Sequence, residues 1–297
     1  MKNQLDRRTA LKQLTLGAGM IATALPNLNC NAQPETKTEK PMGLKNNIKQ
    51  SVCQWCFGHM PLEELAEKAK NMGITGIDLL GPEQWPVIQK YGLQCAVGND
   101  TWVSLTEGFN NPDNHEMLVK NYISLIDKAA DNGVPNVIVF SGNRNGLSDE
   151  AGLENCAVGL DKVVKHAEQK GVMVISELLN SKVDHIDFQC DHTDWGVALV
   201  KKIGSPNFKL LYDIYHMQIM EGDIIATIRN NHEYIAHYHT AGVPGRNEID
   251  ETQELFYPAI VRAIIETGFD GFLAQEFIPK GEDKMAALEA GVKICDV

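Results

Sequence analysis

The feature that most constrains the fold is a regular alternation of short β-rich runs and longer amphipathic runs from about residue 49 onward. Glycine or proline breaks separate the runs. Eight strands are predicted, at residues 50–55, 76–80, 94–98, 136–141, 173–178, 209–214, 235–240 and 272–277. Strands that alternate with helices must pair in parallel, because a helix is needed to cross from the end of one strand to the start of the next.

The predicted helices favour a closed barrel over an open sheet. They lie at residues 62–71, 114–132, 156–169 and 257–267, while residues 82–91 form a short helix at best. An open, doubly wound sheet would carry a glycine-rich phosphate turn after its first strand, but the run from Cys56 to Pro61 reads CFGHMP. Eight strands over about 250 residues match an α/β TIM (β/α)8 barrel.

The first 32 residues are predicted to be an export signal. Arg7 and Arg8 precede a mild apolar run at 14–25, a pattern typical of twin-arginine export, and the run is too short to span a bilayer. A disordered tail is the alternative. Residues 33–47 are polar and read as a linker, and 48–297 as the barrel. The mature protein is therefore expected to be exported to a periplasm, and lipid anchoring at Cys30 is less favoured.

The net charge limits which kinds of partner the chain is expected to bind. The net charge of −12 at pH 7 disfavours nucleic acid and anionic lipid as partners, and no later segment is apolar enough to cross a membrane.

Cys53 and Cys56 form a C-x-x-C pair, but it falls in a strand and its exit rather than at a helix start, so a redox or metal role is disfavoured. The other four cysteines after Cys30 read as small buried hydrophobic residues, and their spacing demands no disulfide.

Four polar residues fall near the carboxyl ends of the last four predicted strands, which is where barrel enzymes build their sites. Glu177, Asp213, His239 and Glu276 are separated by 36, 26 and 37 residues, about one strand–helix unit each. Three carboxylates and an imidazole suit one divalent metal, Mn²⁺, Mg²⁺ or Co²⁺, with Zn²⁺ or Fe²⁺ also compatible. A buried ion-pair network is the alternative, although lysine and arginine are scarce in these strands.

Neighbouring residues are candidates for substrate contacts. His237 shares a strand face with His239 and could line the site, bind the metal or be a hydrogen-bonded core residue. His216 follows Asp213 by three residues. Arg246 lies in the loop GVPGRNE, where a guanidinium can bind a carboxylate or phosphate through two hydrogen bonds, and Glu248 could orient it. Trp55 and Trp102 could wall the pocket or pack in the core.

The second half of the chain resembles the xylose-isomerase-like TIM barrel superfamily of sugar isomerases and epimerases. Three strings carry the resemblance, LYDIYHMQ at 211–218, HYHTAGVPGRNE at 237–248 and GFDGF at 268–272. Within the superfamily the likeness is greatest to hydroxypyruvate isomerases. Those enzymes tend to have Gln at the position of His239, whereas ketose epimerases have His.

The resemblance implies particular roles. Glu177, Asp213, His239 and Glu276 would bind the metal, and Glu177 and Glu276 would also be the catalytic residues that move protons. Substrate contacts would come from His216 and Arg246, with Asn180 and His237 beside them. The substrate would be a small sugar or keto-acid.

The function that follows is isomerisation or epimerisation by proton transfer through an enediolate. A lyase or dehydratase acting on a sugar-derived substrate would use the same ligands. A non-catalytic sugar-binding protein is a further alternative. The acidic chain disfavours a DNA-repair endonuclease of the same fold. A homo-oligomer is compatible with the sequence.

Overall fold

The computed structural model describes residues 43–297. In this part of the chain, eight parallel strands pair in sequence order and close into a barrel, with β8 beside β1. The strands are β1 (Lys49–Cys53), β2 (Gly76–Leu80), β3 (Gln94–Gly98), β4 (Asn136–Val139), β5 (Met173–Glu177), β6 (Phe208–Asp213), β7 (Ile235–Thr240) and β8 (Phe272–Gln275). The predicted TIM barrel is confirmed.

Helices cover the outside of the barrel. Over the described residues they are α1 (Leu62–Asn71), α2 (Trp85–Gln89), α3 (His115–Asp131), α4 (Asp149–Lys170), α5 (Thr193–Ile203), α6 (Ile214–Met220), α7 (Ile224–Asn231), α8 (Tyr257–Glu266) and α9 (Lys284–Cys295). α6 and α7 together form the crossover between β6 and β7.

Burial on both faces explains the composition of the strands. All four residues of β4, Asn136–Val139, are buried, and so are the last four of β1 and β5. Parallel strands between a barrel interior and a helix layer read as nearly continuous apolar runs rather than as alternating patterns. Polar residues on such strands are therefore exceptions that need partners.

Most predicted boundaries agree with the structure to within two residues. The largest difference is α4, predicted from residue 156 but beginning at Asp149, because Ser148 caps it by accepting a hydrogen bond from the Ala151 amide at 3.2 Å. Gly171 ends the helix in the left-handed conformation, at φ 69°. β1 ends at Cys53, two residues early, and a 3-10 turn (Gln54–Phe57) follows it.

The predicted export signal at 1–32 and the linker up to residue 42 lie outside the described residues. The last linker residues precede β1 and contact the carboxyl terminus: the backbone amides of Lys45 and Asn46 donate to the Asp296 carboxylate. Across residues 43–297 all six cysteines are buried free thiols, and the predicted burial of Cys95, Cys156, Cys190 and Cys295 is confirmed. No helix in that range is long and apolar enough to cross a membrane.

Candidate metal centre

The four predicted metal ligands come together at the carboxyl-terminal mouth of the barrel. Glu177 and Asp213 are the last residues of β5 and β6, His239 is next to last in β7, and Glu276 directly follows β8. Asp213 pairs with His239 across the sheet. One ligand atom from each of the four lies within 4.8 Å of the others, and all four side chains are buried.

One nitrogen of the His239 ring faces the carboxylates. Nδ1 lies 3.0 Å from Glu276 Oε2, 3.3 Å from Glu177 Oε1 and 4.0 Å from Asp213 Oδ2. Within the described residues, His239 Nδ1 and Glu177 Oε1 are buried without a hydrogen-bond partner. Unpaired buried polar atoms that face one another are costly unless an ion or water satisfies them.

Arg246 supplies positive charge that was not anticipated from the strands. Its loop carries the guanidinium over the cluster, 2.7 Å from Glu276 Oε2 and 3.8 Å from Asp213 Oδ2. The backbone of Arg246 is left-handed, with φ 59°, a strained conformation that is concentrated at functional sites. The predicted substrate-binding arginine therefore lies at the ligand cluster.

The pKa values show that the carboxylates compete for this charge. Burial and the nearby Glu276 raise the pKa of Asp213, and burial likewise raises the pKa of Glu177. Burial alone would also raise the pKa of Glu276, but His239 and Arg246 hold it well below its usual range. Like charges this close cannot all ionise without a compensating cation.

The donor set fits a divalent cation. Burial alone would lower the pKa of His239, but Glu276 and other acidic neighbours raise it well above its ordinary value, so without a metal the ring carries positive charge. A metal-binding histidine must be neutral, and in that form three ionised carboxylates opposite one guanidinium leave two negative charges. Burying each uncompensated ion costs several kcal/mol. An ion pair as weak as those on protein surfaces could not offset that cost. A cation of charge two would balance the charge, and three oxygens with one nitrogen suit Mn²⁺, Mg²⁺ or Co²⁺.

His216 and Asn180 form a buried pair beside the ligands. The Asn180 amide nitrogen lies 2.6 Å from His216 Nδ1 and 2.6 Å from Asp184 Oδ2. Burial and the charge of Arg246 lower the pKa of His216 well below its ordinary value, so the ring is neutral. With Nδ1 accepting from Asn180, the proton lies on Nε2, which points toward Asp213 Oδ2 at 3.7 Å.

The remaining candidates, Trp55, Trp102 and Glu248, lie in different environments. Trp55 is 42% exposed at the mouth, donates from its indole nitrogen to Glu276 Oε1 at 3.0 Å and stacks on the Arg246 guanidinium. Trp102 packs edge-on against Tyr122. Glu248 accepts a hydrogen bond from the Lys280 amide at 2.7 Å and so braces the loop after β8.

His237 contacts a carboxylate that sequence reasoning missed. Its Nε2 lies 2.6 Å from Asp78 Oδ2, and both side chains are fully buried inside the barrel. Burial alone would raise the pKa of Asp78, but the charge and hydrogen bonds of His237 and His239 lower it well below its usual range. The available signal was an acid within the apolar strand GIDLL, since a buried carboxylate needs a partner.

A concavity of about 620 Å³ opens at the amino-terminal mouth of the barrel. Lys49, Lys209 and Phe272 are among the residues that line it, and none of the predicted site residues does. Barrel enzymes place their chemistry at the other mouth. The ligand cluster, rather than this cavity, is therefore the candidate active site.

Named relatives of the chain are isomerases. It is 34% identical over 128 residues to the 2-oxo-tetronate isomerase of Cupriavidus necator, a match covering 43% of this chain and 47% of that protein. It is 31% identical over 122 residues to the hydroxypyruvate isomerase of Escherichia coli K12, covering 40% and 45%. The matched segments span under half the length of these relatives.

The fold and the family are established by broader matches. A crystal structure titled AP endonuclease, family 2, from Brucella melitensis superposes with a TM-score of 0.72 at 22% identity, covering 81% of this chain and 97% of that one. Identity at this level shows the fold alone. A family model described as xylose isomerase-like TIM barrel matches residues 61–294. The chain therefore belongs to the xylose isomerase-like TIM barrel family.

Proposed function

We propose that this protein is a metal-dependent isomerase or epimerase of a small keto-acid or sugar. The observation that carries the proposal is the buried cluster of Glu177, Asp213, His239 and Glu276, whose ligand atoms lie within 4.8 Å of one another. Its excess negative charge calls for a divalent cation, with Mn²⁺, Mg²⁺ or Co²⁺ the best match to the donors. The names of the isomerase relatives support the reaction class.

Two residues beside the ligand cluster, Arg246 and His216, are proposed to bind the substrate. Arg246, 15% exposed, can turn its guanidinium toward an anionic or hydroxyl-rich substrate at the mouth. The Nε2–H of neutral His216 can donate to a substrate oxygen. A bound divalent metal would polarise the substrate carbonyl and so acidify the neighbouring carbon.

Glu177 and Glu276 are the proposed acid–base pair. The raised pKa of Glu177, caused by burial, suits a group that must alternate between carboxyl and carboxylate. His239 and Arg246 hold Glu276 ionised, which is the protonation state that a base must have before it accepts a proton. Removal of the carbon-bound proton would give an enediolate-type intermediate. Isomerisation would return a proton to the adjacent carbon while the hydroxyl proton passes to the former carbonyl oxygen, and epimerisation would return a proton to the opposite face of the same carbon.

Two observations bear on the substrate preference. The relatives point to short keto-acids such as hydroxypyruvate and 2-oxo-tetronate. Ketose epimerases have a histidine at the position of His239, and this resemblance points to ketoses as substrates. We therefore propose a screen of protein loaded separately with Mn²⁺, Mg²⁺ and Co²⁺ against both classes.

The decisive test combines substitution with solvent exchange. Glu177→Gln and Glu276→Gln keep an oxygen ligand but lose the base, so turnover should fall by about 10²–10⁴-fold while metal remains bound. Product formed in D₂O should carry deuterium on carbon. Glu266→Gln, an exposed acid on α8, is the matched control and should retain activity. Product free of deuterium, together with full activity of both glutamine variants, would refute the proposed proton transfer.

A further inference from the structure

A layer of polar side chains lies inside the barrel, adjoining the ligand cluster. It contains Cys53 from β1, Asp78 from β2 and His237 from β7, all with 0% exposure. Cys53 and Asp78 are paired neighbours in the sheet. None of these residues belongs to the proposed ligand set, so their burial needs a separate explanation.

The His239 ring joins this layer to the metal centre. Its Nδ1 faces Glu177 and Glu276, while its Nε2 lies 3.4 Å from Asp78 Oδ2 and 3.9 Å from Cys53 Sγ. A neutral imidazole has one nitrogen with a lone pair and one with a proton. If Nδ1 binds a metal, the proton must lie on Nε2, where the Asp78 carboxylate can accept it.

A second histidine fixes Asp78 in place. His237 Nε2 lies 2.6 Å from the same Oδ2 atom, so the carboxylate oxygen is held between two imidazoles. Both histidines are on one face of β7, two residues apart, and the side-chain period of a strand keeps them in register. A fully buried carboxylate without such partners would be strongly destabilising.

We propose that Asp78 is a positioning residue that holds His239 in the Nε2–H tautomer and aims Nδ1 at the metal, with His237 anchoring Asp78. This role rests on the proposed metal-dependent function. Carboxylates that hydrogen bond to metal-binding histidines fix the orientation of the ring and raise its basicity as a ligand. Asp78 thereby connects β2 to the proposed metal centre on the last four strands.

A competing arrangement uses the same atoms differently. Cys53, Asp78 and His239 also offer ligand atoms within 4.8 Å of one another and could hold an ion themselves. The 2.6 Å hydrogen bond from His237 already occupies Asp78 Oδ2, which favours the positioning role. The number of ions bound per chain separates the two arrangements.

The experiment measures metal affinity directly. Metal-free wild type, Asp78→Asn and Asp191→Asn are titrated with Mn²⁺ by calorimetry, and bound metal is counted by elemental analysis. An asparagine oxygen in the place of Asp78 Oδ2 could still accept from both rings, but it is uncharged and a weaker acceptor than a carboxylate, so Asp78→Asn should bind Mn²⁺ about 10–100-fold more weakly. Asp191→Asn removes another buried carboxylate, one that contacts Arg144 instead of a proposed ligand, and should bind Mn²⁺ like wild type.

Three results would overturn the proposal. The first is an Asp78→Asn affinity equal to that of wild type. In the second, wild type binds two ions and loses one in both Asp78→Asn and Cys53→Ser, which makes Asp78 a ligand. In the third, wild type binds no divalent ion, which refutes the proposed function together with this role. One ion in wild type with weakened binding in Asp78→Asn alone supports it.

A measurement on the unsubstituted protein covers the case in which Asp78→Asn does not fold. Nitrogen-15 spectra of the histidine rings in Mg²⁺-loaded wild type report which nitrogen carries the proton, and the His239 signals are assigned by their loss in His239→Gln. The proton should lie on Nε2 of His239. A proton on Nδ1 would contradict the proposed tautomer.

Discussion

At the scale of single residues, the candidate site depends on how buried acids share positive charge. Arg246 and His239 both contact Glu276, whereas Glu177 and Asp213 lie further from the guanidinium. Because the positive charge is shared unequally, the pKa of Glu276 is lowered, whereas the pKa values of Glu177 and Asp213 are raised. A divalent cation would favour the ionised form of all three.

The ligand assignment predicts that Asp213→Asn and His239→Ala each abolish tight divalent-metal binding while the barrel stays folded. The reason is that each change removes one donor from a four-donor set. Elemental analysis after dialysis measures the stoichiometry, and circular dichroism checks the fold. His232→Ala, an exposed histidine remote from the cluster, should bind metal normally. Unchanged stoichiometry in both ligand variants would contradict the assignment.

Arg246→Lys should mainly raise KM for an anionic substrate. Lysine keeps the charge but cannot form two parallel hydrogen bonds, a loss of about 1.5–3 kcal/mol, or roughly tenfold or more in KM. Steady-state kinetics with an anionic and a neutral substrate separate recognition of charge from general damage. If KM is unchanged and only the melting temperature falls, the ion pair with Glu276 is structural.

At the scale of elements, an ion pair joins the loops that follow β4 and β5. Arg144 Nη2 lies 2.9 Å from Asp191 Oδ1, and the Asp191 side chain is only 5% exposed. His192 Nδ1 contacts the same carboxylate at 2.8 Å. The pair therefore joins these two loops to each other, and its energetics bear on the stability of the fold.

Asp191→Asn should destabilise the fold by about 2 kcal/mol at neutral pH, since it leaves a partly buried guanidinium short of its charged partner. Asp149→Asn is the matched control. Its carboxylate also contacts Arg144 but is 59% exposed, so the expected loss is under about 0.5 kcal/mol. Urea unfolding of the three proteins at pH 7 measures the differences. Equal losses in both variants would refute the distinction drawn from burial.

The same pair predicts a pH dependence. Burial would raise the pKa of Asp191, but hydrogen bonds from Arg144, Ser181 and His192 lower it below its ordinary value in the folded protein. A folded-state pKa below the unfolded one stabilises the fold fully above about pH 4, and the contribution is lost as pH falls through the folded value. The stability gap between wild type and Asp191→Asn should therefore persist from pH 7 to 5 and shrink below pH 4. A stability gap that widens as the pH falls would contradict a lowered pKa of Asp191 in the folded protein.

At the scale of the whole molecule, barrel closure joins the two ends of the described chain. β1 pairs with β8, and this closure brings Asp78 of β2 against His237 and His239 of β7. A ligand bound by residues of four strands should therefore stabilise the barrel as a unit, because it binds the folded state and not the unfolded one.

Removing the metal should lower the melting temperature of the wild-type protein. A cation present at 100 times its dissociation constant contributes about 2.7 kcal/mol, or roughly 5–10 °C for a domain of this size. Scanning calorimetry with Mn²⁺ and with chelator measures the shift. Asp213→Asn should show little shift between the two conditions. A wild-type protein indifferent to both would contradict a bound divalent ion.

The sequence alone determined the barrel and the candidate ligands, because both are local properties. The short apolar runs of the strands and the 3.6-residue period of the helices are carried by neighbouring side chains. Glu177, Asp213, His239 and Glu276 are recognised by their positions at strand ends. The start of α4 was misplaced only because the Ser148 cap was not weighed. The metal-binding role of the four residues stays a prediction.

Only the tertiary structure decided which distant residues meet. Asp78 and His237 are 159 residues apart in sequence, and Trp55 and Glu276 are 221 apart, yet each pair is hydrogen bonded. Arg246 reaches Glu276 through a left-handed loop conformation that no periodic pattern encodes. Local propensities set the elements, but partners across the barrel depend on closure, strand register and loop conformation, and these form only when the whole interior packs together.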